Sequence, residues 1–487
     1  MEVRKMPEAK EIIDYLINQN AELIAQVESL TDTVNKLNET IRELREQLGK
    51  NSGNSSKPPS SDGLKKKPVK KDRSLRKKSG KNPGGQEGHT GRYLSVLSEA
   101  DVVEKHMHND CESCPHRAEC MAKACVKETR HVIDTVVEVQ ITAHEKLSVK
   151  ECLLCGKAKE GEFPVSIKSN VQYGDNLTAL VVAFNTVGAV SINRTHEILS
   201  SVFNIPLSTG TVKNMVTRCA EKVKPTIEMI RQKLSDSYLI HCDETGTRVD
   251  GKTNWVHNAS NALYTYMTIN VKRGYEGIKA ANILPEYKGI IIHDCWESYW
   301  KFSDVTHGVC CAHLLRELNG VEENHPEQTW ATEFKKLLLK MKKAKEKAIA
   351  HGKSSLSKSS VWVYKKRYDE ILQTAYEENP LPQTEKGKRG KPKKGKVLSL
   401  IDRLRKYKGA VCLFLENLSV PFDNNQAERD IRNIKVKTKV SGCFRSMEGA
   451  TEYLTLMSYV GTACKHGINS FKAIKLAVLG TPESIFQ

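Results

Sequence analysis

Three short acidic signatures stand far apart in this 487-residue chain: His241-Cys242-Asp243-Glu244-Thr245, His293-Asp294-Cys295-Trp296 and Asp423-Asn424-Asn425-Gln426-Ala427-Glu428-Arg429. Hard divalent cations such as Mg²⁺ prefer carboxylate and phosphate oxygens, and two such ions about 4 Å apart can activate an attacking oxygen and stabilise a leaving one in phosphodiester chemistry. Three carboxylates and the phosphate of a substrate suffice to hold both. Any one of these acids alone is an ordinary solvated side chain, so the reading depends on Asp243, Asp294 and Glu428 meeting.

The flanking residues indicate how they could meet. Tyr238-Leu239-Ile240-His241-Cys242-Asp243 alternates, and predicts a strand whose last residues emerge at an edge of the sheet. Gly289-Ile290-Ile291-Ile292-His293-Asp294 is an apolar run that ends the same way and suits a strand buried on both faces. The third acid falls on a predicted helix, with Asp423 as N-cap, Gln426 at the capping-box position and Glu428 in the first turns, four residues before Arg432. His241, Glu244, Asp250 and Asp430 are close in sequence and read as bystanders.

These signatures come with further motifs: Cys310-Cys311-Ala312-His313-Leu314-Leu315-Arg316-Glu317, Ser441-Gly442-Cys443-Phe444-Arg445-Ser446, a leucine-rich start, the segment from Asn51 to Asp62, and paired cysteines. Together they resemble transposases of the insertion sequence 66 family over nearly the whole chain. The resemblance implies an α/β chain with a ribonuclease H-like catalytic domain, a mixed sheet flanked by helices, interrupted by a large helical insertion. It also implies that Asp243, Asp294 and Glu428 are the metal-binding triad of a DNA transposase using Mg²⁺ or Mn²⁺, with two ions. His313 is placed at the cleft mouth, as a contact to phosphate or attacking water or as a locally satisfied helix-start residue. Arg316 has the same two readings.

Composition agrees with a polyanionic partner. A formal charge of +18 and a pI near 9.2 suit salt-sensitive binding to DNA phosphates. The length leaves room for several domains. The start of the chain carries no apolar signal region, and the longest apolar stretch, 177–190, is too short to span a bilayer, so a cytoplasmic, nucleoid-associated protein without membrane contact is expected. Fourteen cysteines in such a protein point to thiols or metal ligands in preference to disulfides. Cys111-x-x-Cys114 and Cys152-x-x-Cys155 form two knuckle-like pairs able to close a tetrahedral structural zinc site. Cys120, Cys125 and His116 are alternative ligands, and buried metal-free cysteine is the plainer reading.

The domains follow from the pattern. Residues 1–50 carry a heptad, with Ile13, Asn20, Val27, Val34, Ile41 and Leu48 at a and Leu16, Leu23, Leu30, Leu37 and Leu44 at d, which predicts a parallel homodimeric coiled coil. Residues 51–90 read as a basic disordered linker, and 91–167 as the zinc-binding module, with a strand over 132–141. Residues 168–236 form a helical, helix-turn-helix-like DNA-binding region in which Ser208 or Thr209 caps a helix offering Lys213 to DNA; a structural bundle is the alternative. The catalytic core takes 237–313 and 421–448, including a hairpin at Asp250-Gly251 and a fifth strand near Val305–Cys311. A helical basic insertion occupies 314–420 and contains the Lys386–Lys396 tract, read as a DNA-contacting loop. Beyond Glu428, Arg429, Arg432 and Lys435 keep the site electropositive, and 449–487 closes the chain with helix. The function expected is strand cleavage at element ends followed by strand transfer, with accessory proteins of the same element as further partners. The alternatives are a nuclease that cuts without joining, and an inactive zinc-stabilised dimeric DNA-binding protein.

Overall fold

The heptad segment forms a single helix, α1 (Ala9–Gly49), in a computed structural model that describes residues 9–51, 53–55, 102–111, 113–132, 138–150, 152–155, 157–381 and 394–486. The d-position leucines Leu16, Leu23, Leu30, Leu37 and Leu44 are all more than half exposed in the single chain. At its C-terminus α1 runs into a knot of asparagines. The Asn51 and Asn54 side-chain amides both donate to the Gly49 carbonyl (3.1 Å each), while Asn51 Oδ1 accepts from Gly53 N–H and Asn54 Oδ1 from Asn51 N–H (2.8 Å each). The knot thereby serves a carbonyl that the end of a helix leaves open. The linker expected from residue 51 thus begins with folded residues, because its asparagines supply their own polar partners. The basic runs Lys65-Lys66-Lys67, Lys70-Lys71 and Arg76-Lys77-Lys78 lie outside the described residues.

The chain divides into two compact units, Lys67–Ser166 with Leu199–Ile205, and the remainder. The smaller unit holds a 3₁₀ turn at Asn109–Cys111, a short helix α2 (Arg117–Lys123), and a two-residue ladder of β1 (Ser148–Val149) with β2 (Lys159–Glu160). Each CxxC pair lies in a turn: Cys114 N–H donates to the Cys111 carbonyl (3.3 Å) and Cys152 N–H to the Lys157 carbonyl (3.0 Å). The Cys152 thiol is held below its ordinary range by the Leu154 and Cys155 backbone N–H groups. The strand expected over 132–141 is not present at 138–141, and 133–137 lie outside the described residues. The ladder forms around the second cysteine pair instead, where the knuckle turn doubles the chain back on itself.

Before the sheet come α3 (Asp175–Asn185) and α5 (Thr209–Ser235) of the larger unit and, between them in sequence, α4 (Ile192–Val202), whose last turn is counted with the smaller unit. Ser208 caps α5 by accepting from Thr211 N–H. Val212, Met215, Val216, Cys219, Val223, Ile230 and Leu234 are buried at helical spacing along it. Near its start, Lys213 is paired with Glu452, so the end expected to offer it to DNA is turned toward another helix.

The sheet has the order β5-β4-β3-β6-β7. β3 (Leu239–Val249), β4 (Lys252–Ser260) and β5 (Thr265–Asn270) are antiparallel. A helix, α6 (Tyr275–Ala280), leads on to β6 (Ile290–His293), parallel to β3, and β7 (Thr306–Val309), parallel to β6. Asp250 (φ 49°) and Gly251 (φ 70°) form the two-residue hairpin turn expected from their sequence. One expectation is corrected: β3 is the central strand, and Asp243 lies in its middle, because β3 runs on for six residues past that acid to pair with β4.

α7 (Cys311–Asn324) follows β7, and the insertion supplies α8 (Trp330–Ala350), α9 (Lys358–Glu378), α10 (Lys396–Lys406) and α11 (Lys408–Glu416). Residues 382–393 of its basic tract lie outside the described residues. The chain ends with α12 (Asn425–Ser441), α13 (Met447–Lys465) and α14 (Ser470–Leu479). α13 closes the free edge of β5: Thr462 Oγ1 accepts from Thr265 N–H (3.0 Å) and Ser458 Oγ from Met267 N–H (2.9 Å). An exposed strand edge would otherwise offer those donors to another chain.

The asparagine knot docks on α7. Asn54 Nδ2 donates to Glu323 (2.7 Å), Asn319 Nδ2 to the Gly53 carbonyl (3.4 Å), and a Cβ on Gly320 would stand 2.5 Å from the Asn54 carbonyl oxygen. Glycine inside a helix costs roughly 0.5–1 kcal/mol relative to alanine, a cost this close approach explains. Gly320→Ala should therefore leave α7 intact or firmer while releasing the knot. Hydrogen exchange should show amide protection at Gly53 and Asn54 falling by at least about tenfold; unchanged protection would show that the contact does not hold the knot.

Candidate active site

β3 and β6 share the register His241↔Ile292, so two residues further on Asp243 stands beside Asp294. By then β6 has ended at His293 while β3 continues, and a notch opens beside the central strand. Successive residues of a strand face opposite sides. His241 and Thr247 meet α12 through Asn424 and Thr438, which places Asp243 on that side. Cys242 packs in the core formed with α5 and α6, and Glu244, on the same side, meets Tyr299.

The turn carrying Asp294 is held by a chain of imidazoles. Cys295 N–H donates to His293 Nδ1 (3.2 Å), which leaves His293 Nε2–H to donate to His307 Nδ1 (3.1 Å) and His307 Nε2–H to the Phe302 carbonyl (3.1 Å). Burial, then the neighbouring His307, depresses His293 well below its ordinary range, so the chain is neutral. Asp294 Oδ1 itself accepts from Trp296 N–H (3.0 Å).

Glu428 arrives from the other side, and Asn424 fixes how. Asn424 is fully buried. Its Oδ1 accepts from His241 Nδ1 (2.8 Å), its Nδ2 donates to the Cys242 carbonyl (2.8 Å), and its N–H donates to Cys310 Sγ (3.1 Å). The cap of α12 is thus Asn424, and the expectation of Asp423 as N-cap with Gln426 in a capping box is corrected. The Asn424 side chain is drawn onto β3 and makes no cap bond to the helix; Asp423 Oδ1 accepts from Asn425 N–H (3.1 Å), and Gln426 donates to Asp430 (3.1 Å). Past the end of α12, Phe444 N–H donates to the Arg248 carbonyl (2.9 Å) and Asp250 N–H to the Phe444 carbonyl (2.8 Å), so the Ser441–Ser446 motif pairs with the far end of β3.

His313 and Arg316, one turn apart on α7, face Glu428. His313 Nε2 lies 3.7 Å from Oε1 and Arg316 Nη2 3.4 Å from Oε2, while Arg316 Nη1 is 3.3 Å from His313 Nε2. His313 is largely buried and lines the cleft, and burial followed by Arg316 lowers its pKa. Cys310 Sγ, a His313 nitrogen and a Glu428 oxygen all lie within 4.8 Å of one another. Burial pushes the Cys310 thiol up to about 12 and its sulfur already accepts from Asn424, so it behaves as a packed neutral thiol. Among the described residues no comparable cluster gathers Cys111, Cys114, Cys152 and Cys155.

A cleft of about 1480 Å³ contains Asp243, Asp294 and Glu428. Five lysines and four arginines line it against five carboxylates, and Arg432, Lys435, Lys394 and Lys396 are among them. Arg429 bonds to Gln426 (2.9 Å) and does not line it. Lys435 donates to the Gly246 carbonyl (2.8 Å), and burial lowers its pKa. Of the acids read as bystanders, Asp430 pairs with Lys465 (2.8 Å), but Glu244 is corrected: it is a cleft residue. Its Oε1 accepts from Arg273 Nη2 (2.7 Å) and Nε (3.1 Å), and its Oε2 from Tyr299 OH (2.8 Å). Burial and then Asp294 raise Glu244 to about 6 despite those partners.

Asp243 has only the Glu244 N–H (2.9 Å). Burial, then Glu244, Asp294 and Glu428, hold its carboxyl well above the usual range. Glu428 Oε1 is buried with no hydrogen-bond donor among the described residues. An oxygen-only donor set, mutually repelling and incompletely satisfied, fits a hard divalent cation. Sequence reasoning missed Arg273 and the bridging role of Asn424; no spacing marks the first, and the second lay inside a motif read for its acid.

Carboxylates gathered in a basic cleft are the equipment of an enzyme that acts on phosphate esters. Residues 170–452, more than half of the chain, match the model of the Transposase IS66 family, and the chain belongs to that family, a group of DNA-processing enzymes. Residues 5–94 match a family of unknown function (DUF6444). No curated protein matches the chain. Among the described residues no helix is long and apolar enough to cross a membrane.

Replacing Asn424 by alanine leaves His241 Nδ1–H and the Cys242 carbonyl buried without partners. Asn424→Ala should lower unfolding free energy by about 2–4 kcal/mol, read from urea denaturation. A loss below about 0.5 kcal/mol would show that α12 is seated by its apolar face alone.

Proposed function

We propose that the chain is a Mg²⁺- or Mn²⁺-dependent Asp-Asp-Glu transposase that cleaves DNA strands at element ends and joins the freed 3′-hydroxyls to target DNA. The observation that carries this reading is the convergence of Asp243, Asp294 and Glu428 on one basic cleft. The strand order, three antiparallel strands followed by two parallel ones on the other side of the first, supports a ribonuclease H-like fold. Divalent ions, when bound, supply activation of the attacking oxygen and stabilisation of the leaving one. Asp243 and Asp294 offer oxygens from the notch in the sheet, and Glu428 offers its oxygen from α12. His313 and Arg316 orient Glu428, and the lysines and arginines of the cleft draw in DNA phosphates.

Two supporting parts belong to the same proposal. The exposed stripe of α1 suits a parallel two-stranded coiled coil with a second copy, with Asn20 fixing register. The turns at Cys111–Cys114 and Cys152–Cys155 suit a structural zinc ion, since backbone N–H groups directed at a sulfur favour the thiolate form that zinc binds. Native mass and metal analysis of the full chain should give an even number of copies and one zinc per copy; a monomer, or a zinc-free chain, removes the corresponding part.

The direct test is a duplex ending in the inverted repeat that flanks the coding sequence. Asp243→Asn should lower cleavage at least about 10³-fold with DNA affinity within about threefold of the unsubstituted chain. Cleavage retained by that variant takes Asp243 out of the triad. Cleavage by the unsubstituted chain with no joined product makes the protein a nuclease.

A further inference from the structure

Resting on that reading of the cleft, we infer that Arg273 is a further catalytic residue, a fixed guanidinium that binds the non-bridging oxygens of the phosphate being attacked. Arg273 follows β5 and lines the cleft with the acids. Its guanidinium lies over two indoles, 4.8 Å from the centroid of Trp255 and 4.3 Å from that of Trp296. Nε and Nη2 both donate to Glu244 Oε1. Glu244 is locked in turn by Tyr299. The two ring contacts and the carboxylate together restrict where the fork can lie.

Both anchors are tied to the metal-site acids. Glu244 is the neighbour of Asp243 in the chain, and Trp296 is the residue whose N–H holds Asp294 Oδ1. The guanidinium is thereby indexed to the two strand acids. A counter-ion for Glu244 would need neither ring contact. The carboxylate takes only the Nε/Nη2 edge, and the side chain remains 42 % exposed, which leaves the Nη1 edge for a second anion that presents two acceptor oxygens side by side. Phosphate is the anion this geometry matches, and lysine cannot reproduce the fork. In the hydrolysis, water oxygen forms a bond to phosphorus and the P–O3′ bond breaks, giving a 3′-hydroxyl and a 5′-phosphate. Charge stays on the non-bridging oxygens throughout, where a fixed donor acts.

The experiment compares the full-length protein with Arg273→Lys and Arg273→Ala on two duplexes, one with a natural phosphate at the cleaved position and one with an uncharged methylphosphonate there. Arg273→Lys keeps a cation opposite Glu244, so it should keep its melting temperature and yet lose about 10²-fold or more in cleavage of the natural duplex. The methylphosphonate penalty should be much smaller for Arg273→Ala than for the unsubstituted chain, because both changes remove the same contact. Arg273→Lys within threefold of full rate, or penalties that simply multiply, overturns the assignment while the transposase reading stands. Cleavage absent from the unsubstituted chain, or retained by Asp243→Asn, overturns that reading and this inference with it.

Discussion

The site depends on one buried amide. Asn424 lies 183 residues from His241 in sequence, and it joins α12 to β3 through both ends of its side chain while its backbone N–H reaches the β7–α7 junction at Cys310. Buried amide groups are costly unless every donor and acceptor is met. That cost makes the arrangement selective: a shift of α12 along β3 would break both side-chain bonds together. Glu428, one helical turn further, inherits that placement. The acids of the strands and the acid of the helix are therefore positioned by a group that carries no charge.

Neutral fixing matters because the cleft concentrates negative charge. Each carboxylate is treated differently. Glu244 is enclosed by Arg273 and Tyr299, Asp294 has a backbone N–H, and Glu428 has Arg316 on one oxygen. Asp243 is left with one N–H and three acidic neighbours, and burial first, then those neighbours, raise its pKa. The same difference separates adjacent residues of one strand. Glu244 has both oxygens occupied and serves as an anchor, whereas Asp243 keeps capacity for a cation. A chain with +18 net charge surrounds this knot of acids with lysine and arginine, so the rim of the cleft attracts anions while its floor is acidic.

Much of the frame was legible in the sequence, since it depends on local rules. The Asp-Gly turn must take positive φ, the isoleucine run must be buried, and the leucines of α1 recur every seven residues; each of these appears where the pattern puts it. The convergence of three acids was legible through their motifs. What escaped were facts decided by distant partners. Whether β3 stops at Asp243 or runs on depends on β4 offering a ladder beyond it. Asp423 and Asn424 are comparable caps by propensity, and only the position of His241 and the Cys242 carbonyl decides between them. Glu244 looks like any polar strand residue until Arg273, 29 residues later, folds back over two indoles. The asparagines at 51–55 resemble linker composition, and Gly320, which receives them, resembles an arbitrary weak point in a helix.

The insertion illustrates the same dependence at larger scale. Read along the chain, 314–420 interrupts the catalytic core and delays its third acid. In three dimensions Ile290, Ile292 and Val309 of the sheet share one buried cluster with Phe334, Leu338, Tyr368, Val411 and Leu415 of the inserted helices. Those residues help to cover a face of β6 and β7. Tyr368 donates to the Leu404 carbonyl (2.8 Å), Lys345 donates to the Val420 carbonyl, and Arg403 pairs with Glu317 of α7; these polar contacts fix the inserted helices to one another, to α7 and to the segment that leads into α12. The same helices bring Lys394, Lys396 and Arg403 to the cleft. An element that both completes the core beneath Asp294 and lines the wall opposite it belongs to the catalytic domain in every physical sense, and the delay it imposes on Glu428 in sequence has no counterpart in space.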